Sequence, residues 1–99
     1  MDFRSAGLSK GLVSEICKLA EKYGINKIIL FGSRARGDFK ERSDIDLAVS
    51  GGNKSAFALD VDELTYTLLE YDIVNLDGNV QSDLLKEIEK DGKILYEKI

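Results

Sequence analysis

Apolar positions along the chain follow two rhythms. Leu8, Leu12, Ile16, Leu19, Ala20 and Tyr23 keep the three-and-four spacing of one helix face, Ser9 or Ser14 can open that helix, and Gly24 stands where a C-terminal cap belongs. The rhythm then changes. Lys27 to Phe31 is a short apolar run, and in Asp44 to Ser50 the residues Ile45, Leu47 and Val49 alternate with polar or small ones, so two strands are predicted. Gly51-Gly52 breaks the chain before Phe57, Val61, Leu64 and Leu68, spaced as a second amphipathic helix. Where that helix starts is open: Phe57, Leu59 and Val61 also alternate as a strand would, and Asp60 or Asp62 would cap a later start. Tyr71 to Leu76 reads as a third strand closed by the turn Asp77-Gly78. Ser82 to Asp91 reads as a third helix ended by Gly92, and Lys93 to Glu97 as a short edge strand with charged ends.

This order of elements predicts an α/β (α+β) fold. One domain over residues 1–99 would hold a small mixed β-sheet with its helices packed on one face, leaving the other face free to carry a site. A chain of 99 residues suits a single domain and leaves no room for a second, substrate-binding one. There are no repeats, low-complexity tracts or linkers.

Composition narrows the chemistry. A formal charge of −4, from 14 basic and 18 acidic residues, argues against a broad grip on a nucleic-acid polymer and favours a nucleotide or a protein as ligand. No basic stretch followed by a long apolar run opens the chain, and no segment approaches the length that spans a bilayer. A soluble, cytoplasmic protein with no membrane contact is expected. Cys17 is the only cysteine, so no internal disulfide forms, and it falls on or beside the first apolar stripe, which marks it as core. The chain has no histidine, which removes the commonest general base, histidine-containing zinc sites and the usual serine or cysteine triads. Chemistry must rest on carboxylates. Asn53-Lys54-Ser55 and Arg36-Gly37-Asp38 match glycosylation and adhesion motifs, but without a secretory signal they read as chance.

Carboxylates are concentrated where the strands meet. Asp44 and Asp46 are separated by one residue and so point the same way in a strand, opposite to Ile45, Leu47 and Val49. If the third strand is a neighbour, Asp72 at its start joins them, and three hard oxygen donors around one point suit two Mg²⁺ ions. Such ions hold a triphosphate and stabilise an in-line displacement at phosphorus. Gly32-Ser33, at the end of the first strand, supplies a turn whose backbone can approach a phosphate. A P-loop is a poor reading, because Asp38-Phe39 stands where Lys and Ser or Thr would be needed. Arg34 and Arg36 diverge on a short helix, so one faces the ligand, and Arg36 is the choice.

These residues resemble a known family. Gly32-Ser33, ten further residues and Asp44-Ile45-Asp46, with Ala35-Arg36-Gly37 between and Asp72 later, look like the polymerase-beta-type nucleotidyltransferases. More narrowly the chain resembles the minimal nucleotidyltransferases of the MntA-like antitoxin group, over nearly its whole length. The resemblance implies Gly32 and Ser33 as binders of the nucleotide phosphates, Asp44 and Asp46 as Mg²⁺ ligands, and Asp72 as the third acidic residue. It also implies transfer of AMP from ATP to an acceptor hydroxyl with release of pyrophosphate. The expected partner is a HEPN-domain toxin, bound as a hetero-oligomer and adenylylated on a tyrosine.

Blander readings stand beside these. An isolated Asp-x-Asp is more often a solvated strand edge or helix cap than a site, and the full constellation carries the assignment. Asp77 reads as a turn residue. Lys40 and Arg42 read as solvated loop, and Tyr66, Tyr71 and Tyr96 as core or interface more than base-stacking groups. Asp60, Asp62, Glu63, Glu70, Glu87 and Glu89 read as solvated helix faces, with partner docking second. The alternative function is a non-catalytic antitoxin or binding module that neutralises a partner by occlusion.

Overall fold

The computed structural model describes residues 3–65 and 67–98. After a 3-10 turn at Arg4–Ala6 come α1 (Lys10–Lys22), β1 (Lys27–Phe31), α2 (Gly32–Arg36), β2 (Ile45–Ser50), α3 (Lys54–Leu64), β3 (Tyr71–Asn75), α4 (Ser82–Asp91) and β4 (Lys93–Glu97). The strands form the expected small mixed sheet in the order β3-β2-β1-β4. β1 is antiparallel to β2 and to β4, and β2 is parallel to β3.

Local chemistry sets the helix ends. Ser9, not Ser14, caps α1, its hydroxyl accepting the Leu12 N–H at 3.1 Å, and Gly24 follows the helix in the left-handed conformation. α3 starts earlier than Asp60 or Asp62 would allow, because the Asn53 side chain accepts the Ala56 N–H at 3.2 Å. It also ends earlier than the leucine spacing suggests. Thr65 turns extended and its hydroxyl bonds back to the Val61 carbonyl at 2.5 Å, so Leu68 falls outside the helix and is fully exposed. Asp77 accepts the Gly51 N–H at 2.8 Å and pairs with Lys54 at 2.7 Å, tying the turn after β3 to the loop after β2.

The two sheet faces have different fates. Ile28, Leu30, Ile45, Leu47 and Val49 point to one side and bury against Leu12, Ile16 and Ala20 of α1 and Phe57 and Val61 of α3. Ile29, Phe31, Ala48 and Val74 point to the other, where Leu84 and Ile88 of α4 cover them. The placement of all helices on one face is therefore corrected by α4, which needs a partner for its own apolar stripe and finds it on the second face. That face is left open only beyond the reach of α4. Cys17 is half-buried at the core edge, its thiol 3.8 Å from the Leu95 carbonyl, and burial pushes its pKa up.

Candidate active site

The open end of the second face is where β1 stops and β2 and β3 begin. Asp46 shares its side of β2 with Ala48, and in the parallel pairing it stands in register with Asp72 of β3. Adjacent strands lie about 4.8 Å apart, so these two acidic side chains rise side by side from one surface. Asp44 lies just ahead of β2 and is exposed. On the other flank Phe31 of β1 is in register with Asp46, so Gly32, the next residue, meets the Asp46 carboxylate. Gly32 has φ +74°, and a Cβ there would collide with that carboxylate. Glycine is thus demanded twice at this position, by backbone conformation and by space. Ser33 follows in the first turn of α2, and its hydroxyl makes no hydrogen bond among the described residues.

The electrostatics follow from this crowding. Burial, then the charges of Asp72, Asp44 and Glu87, push Asp46 up to about 6, against an opposing pull from Arg36. The two arginines of α2 do different things. Arg34 is buried and donates to the carbonyls of Ala6 at 2.9 Å, Ser43 at 2.9 and 3.0 Å and Glu41 at 3.2 Å, with its guanidinium 4.8 Å from the Phe39 ring centre. It fastens the loop before β2 to the N-terminal turn, committing four of its five N–H donors to these carbonyls. Arg36 is half-exposed, 2.8 Å from Glu87 of α4 and 3.3 Å from Asp38, on the side of Asp46.

Of the residues singled out from the sequence, Gly32, Ser33, Arg36, Asp46 and Asp72 come to one end of one face, with Asp44 beside them. No three Asp or Glu side chains among the described residues converge closely enough to bind one ion together. Uncompensated carboxylates repel and splay. The donor set nevertheless fits a hard divalent cation: all its atoms are carboxylate oxygens, and their negative potential adds to burial in raising the Asp46 pKa. Tyr71 packs on the core with its hydroxyl 2.7 Å from that of Thr65, and Tyr96 also packs on the core, so neither is offered to a base. Tyr66 lies outside the described residues. Sequence reasoning missed Glu87, read as part of a solvated helix face. Its position next to Ile88 and three residues after Leu84 puts it on the border of the apolar stripe, a signal that becomes legible once α4 is known to cover the aspartate face.

A mixed sheet that sets a Gly-Ser turn against two in-register aspartates is the framework of an enzyme that transfers nucleotidyl groups. The chain belongs to the polymerase beta nucleotidyltransferase family, whose pattern matches residues 14–99. It is 34% identical to a Methanocaldococcus jannaschii protein called a "putative protein adenylyltransferase", over 88% of this chain and 96% of that one. Among solved structures, a toxin–antitoxin crystal structure with AMP-PNP superposes with a TM-score of 0.70 at 24% identity, over 87% of this chain and 73% of that one. A "putative minimal nucleotidyltransferase" superposes with a TM-score of 0.67 at 24% identity, over 94% of this chain and 95% of that one. These likenesses show the same fold. The family match and the relative identify a nucleotidyltransferase enzyme.

Proposed function

We propose that this nucleotidyltransferase transfers AMP from ATP to a hydroxyl of a partner protein, and that it is the antitoxin of a pair whose toxin carries a HEPN domain. The observation that carries the chemistry is the in-register pair Asp46 and Asp72 beside Gly32. Support for the acceptor comes from the relative called a protein adenylyltransferase. Support for the nucleotide and the biological setting comes from the fold neighbour, a toxin–antitoxin crystallised with AMP-PNP.

In this reading the acceptor oxygen attacks the α-phosphorus, the bond from that phosphorus to the bridging oxygen breaks, and pyrophosphate leaves. Asp72, on the outermost of the two strands, takes the acceptor proton. Gly32 lets the backbone approach the triphosphate, Ser33 offers its free hydroxyl, and Arg36 turns from Glu87 to a phosphate oxygen. Asp44 and Asp46, with Asp72 alongside, would hold Mg²⁺, which when bound neutralises the triphosphate and the departing pyrophosphate.

The test is incubation of the protein and its partner with ATP labelled at the α or the γ phosphate. Label transferred from the α position alone, and lost in Asp46→Asn, is the expected result. Transfer from the γ position, or transfer that survives Asp46→Asn, would reject this mechanism.

A further inference from the structure

Charge is distributed unevenly along the chain. Residues 55–85 contain seven acidic side chains and no lysine or arginine, while the other residues hold all 14 basic side chains and 11 acidic ones. Two of the seven are engaged within the protein, Asp60 with Lys22 and Tyr23, and Asp77 with Lys54. Asp62, Glu63, Glu70 and Asp72 have no ion pair among the described residues. The same stretch carries the most exposed leucines of the described chain: Leu59 at 59%, Leu64 at 61% and Leu68 at 103% relative exposure. A cleft of about 550 Å³ runs between Ala58, Leu59 and Asp62 of α3 and Tyr71 and Ile73 of β3. A second of about 390 Å³, lined also by Arg42, shares Glu70 with it and continues past Leu68 and Leu69 to Asp44. An apolar path whose banks are acidic apart from Arg42 therefore leads to the candidate active site.

The outer edge of β3 borders this path. Ile45 donates to the Glu70 carbonyl and Leu76 donates to the Val49 carbonyl, both at 2.9 Å, so the even residues of β3 bond inward to β2. The backbone of Tyr71 and Ile73 faces outward, where β3 has no neighbouring strand among the described residues. We infer that the acceptor protein docks by adding an extended, basic segment to the free edge of β3, with its apolar residues in the α3 cleft and a hydroxyl-bearing residue in register with Asp72. The charge of residues 55–85 selects a basic occupant and the exposed leucines select an amphipathic one. Alternation does the rest: a residue beside Asp72 on an added strand points the way Asp72 points, towards Asp46, and its neighbours point into the cleft. The identity of the occupant as the acceptor rests on the proposed transfer reaction; the edge and the cleft do not.

The test uses a fluorescent nonapeptide, Lys-Leu-Lys-Leu-Tyr-Leu-Lys-Leu-Lys, and a second peptide of the same composition with the alternation scrambled. Anisotropy should show the alternating peptide binding at least tenfold tighter. The double variant Leu59→Lys/Asp62→Lys, on exposed positions, should weaken it at least tenfold while circular dichroism and calorimetric titration with Mg–ATP stay unchanged. Asp46→Asn should bind peptide as wild type does. Equal affinity for both peptides, or binding indifferent to the double variant, overturns the inference, as does a wild-type dimer in sedimentation that the double variant dissociates, since a second copy would then own the edge. Alternation-dependent peptide binding by a protein that takes up no ATP would sustain the docking edge and reject the transfer reaction instead.

Discussion

Asp46 and Asp72 stand in direct register across the parallel strands β2 and β3, on the face that α4 leaves open at that end. Burial is costly to an ionised Asp46, and the neighbouring charge of Asp72 adds to the cost. Both effects raise the pKa of Asp46 from 3.8 to about 6. A folded-state value above the unfolded one means that the group's contribution to stability is fully present below about pH 3.8 and is lost as pH rises through 6. The whole shift corresponds to about 3 kcal/mol, of which about 1 kcal/mol remains for a partly solvated group after screening. Asp46→Asn should therefore raise the Tm of the metal-free protein at pH 7.5 by roughly 4 to 8 °C. Below pH 3.8 the two proteins should melt together, and thermal melts at both pH values check this.

Gly32 depends on the same carboxylate. Gly32→Ala places a methyl group against Asp46 in a backbone with φ +74°. Strain and displacement together should cost about 2 to 4 kcal/mol in urea unfolding and abolish transfer. Gly37→Ala is the control, since Gly37 also has positive φ but no atom lies within 4 Å of where its added methyl group would stand. It should lose only about 1 kcal/mol and keep its activity.

Much of this architecture can be read from residue order, and the exceptions have physical causes. The bounds of α4 and β4, the Asp77-Gly78 turn and the core face Ile45, Leu47 and Val49 follow the pattern because local rhythm and tertiary burial agree there. α3 departs from it at both ends. A side-chain cap from Asn53 and a hydroxyl-to-carbonyl bond from Thr65 are single contacts, and hydrophobic spacing carries no trace of them. The Gly-Ser turn and the aspartates are visible as a motif, but their register is not, because it depends on which strands become neighbours. Glu87 is hidden for the same reason: its place beside Arg36 is decided by the face on which α4 lands.

Arg34 is a structural arginine. Arg34→Met keeps much of the apolar stem but strips hydrogen bonds from the carbonyls of Ala6, Glu41 and Ser43. The buried Ala6 acceptor left without a partner, with the part-buried bonds to Ser43 and Glu41 lost as well, should cost about 2 to 3 kcal/mol in chemical unfolding. Because Ser43 precedes Asp44, the loss should also loosen the entry to β2 and lower kcat. An unfolding midpoint equal to wild type would show that the three carbonyls find other donors.

Arg36 is held at both ends of its guanidinium, by Glu87 at 2.8 Å and Asp38 at 3.3 Å, and all three side chains are substantially exposed. Pairs of this kind contribute about 0 to 1 kcal/mol, less than a triphosphate oxygen returns to an arginine, so the nucleotide can take Arg36 from Glu87. Glu87 also places a negative charge near Asp46, which in the proposed reaction opposes the approach of the triphosphate. Glu87→Gln should therefore lower the Kd for Mg–ATP about two- to fivefold, and Arg36→Gln should raise it about tenfold or more, each with little change in Tm. If Glu87 acts by competing for Arg36, the double variant binds as Arg36→Gln alone. If it acts through the field at Asp46, the two effects add, and calorimetric titration of the four proteins distinguishes these outcomes.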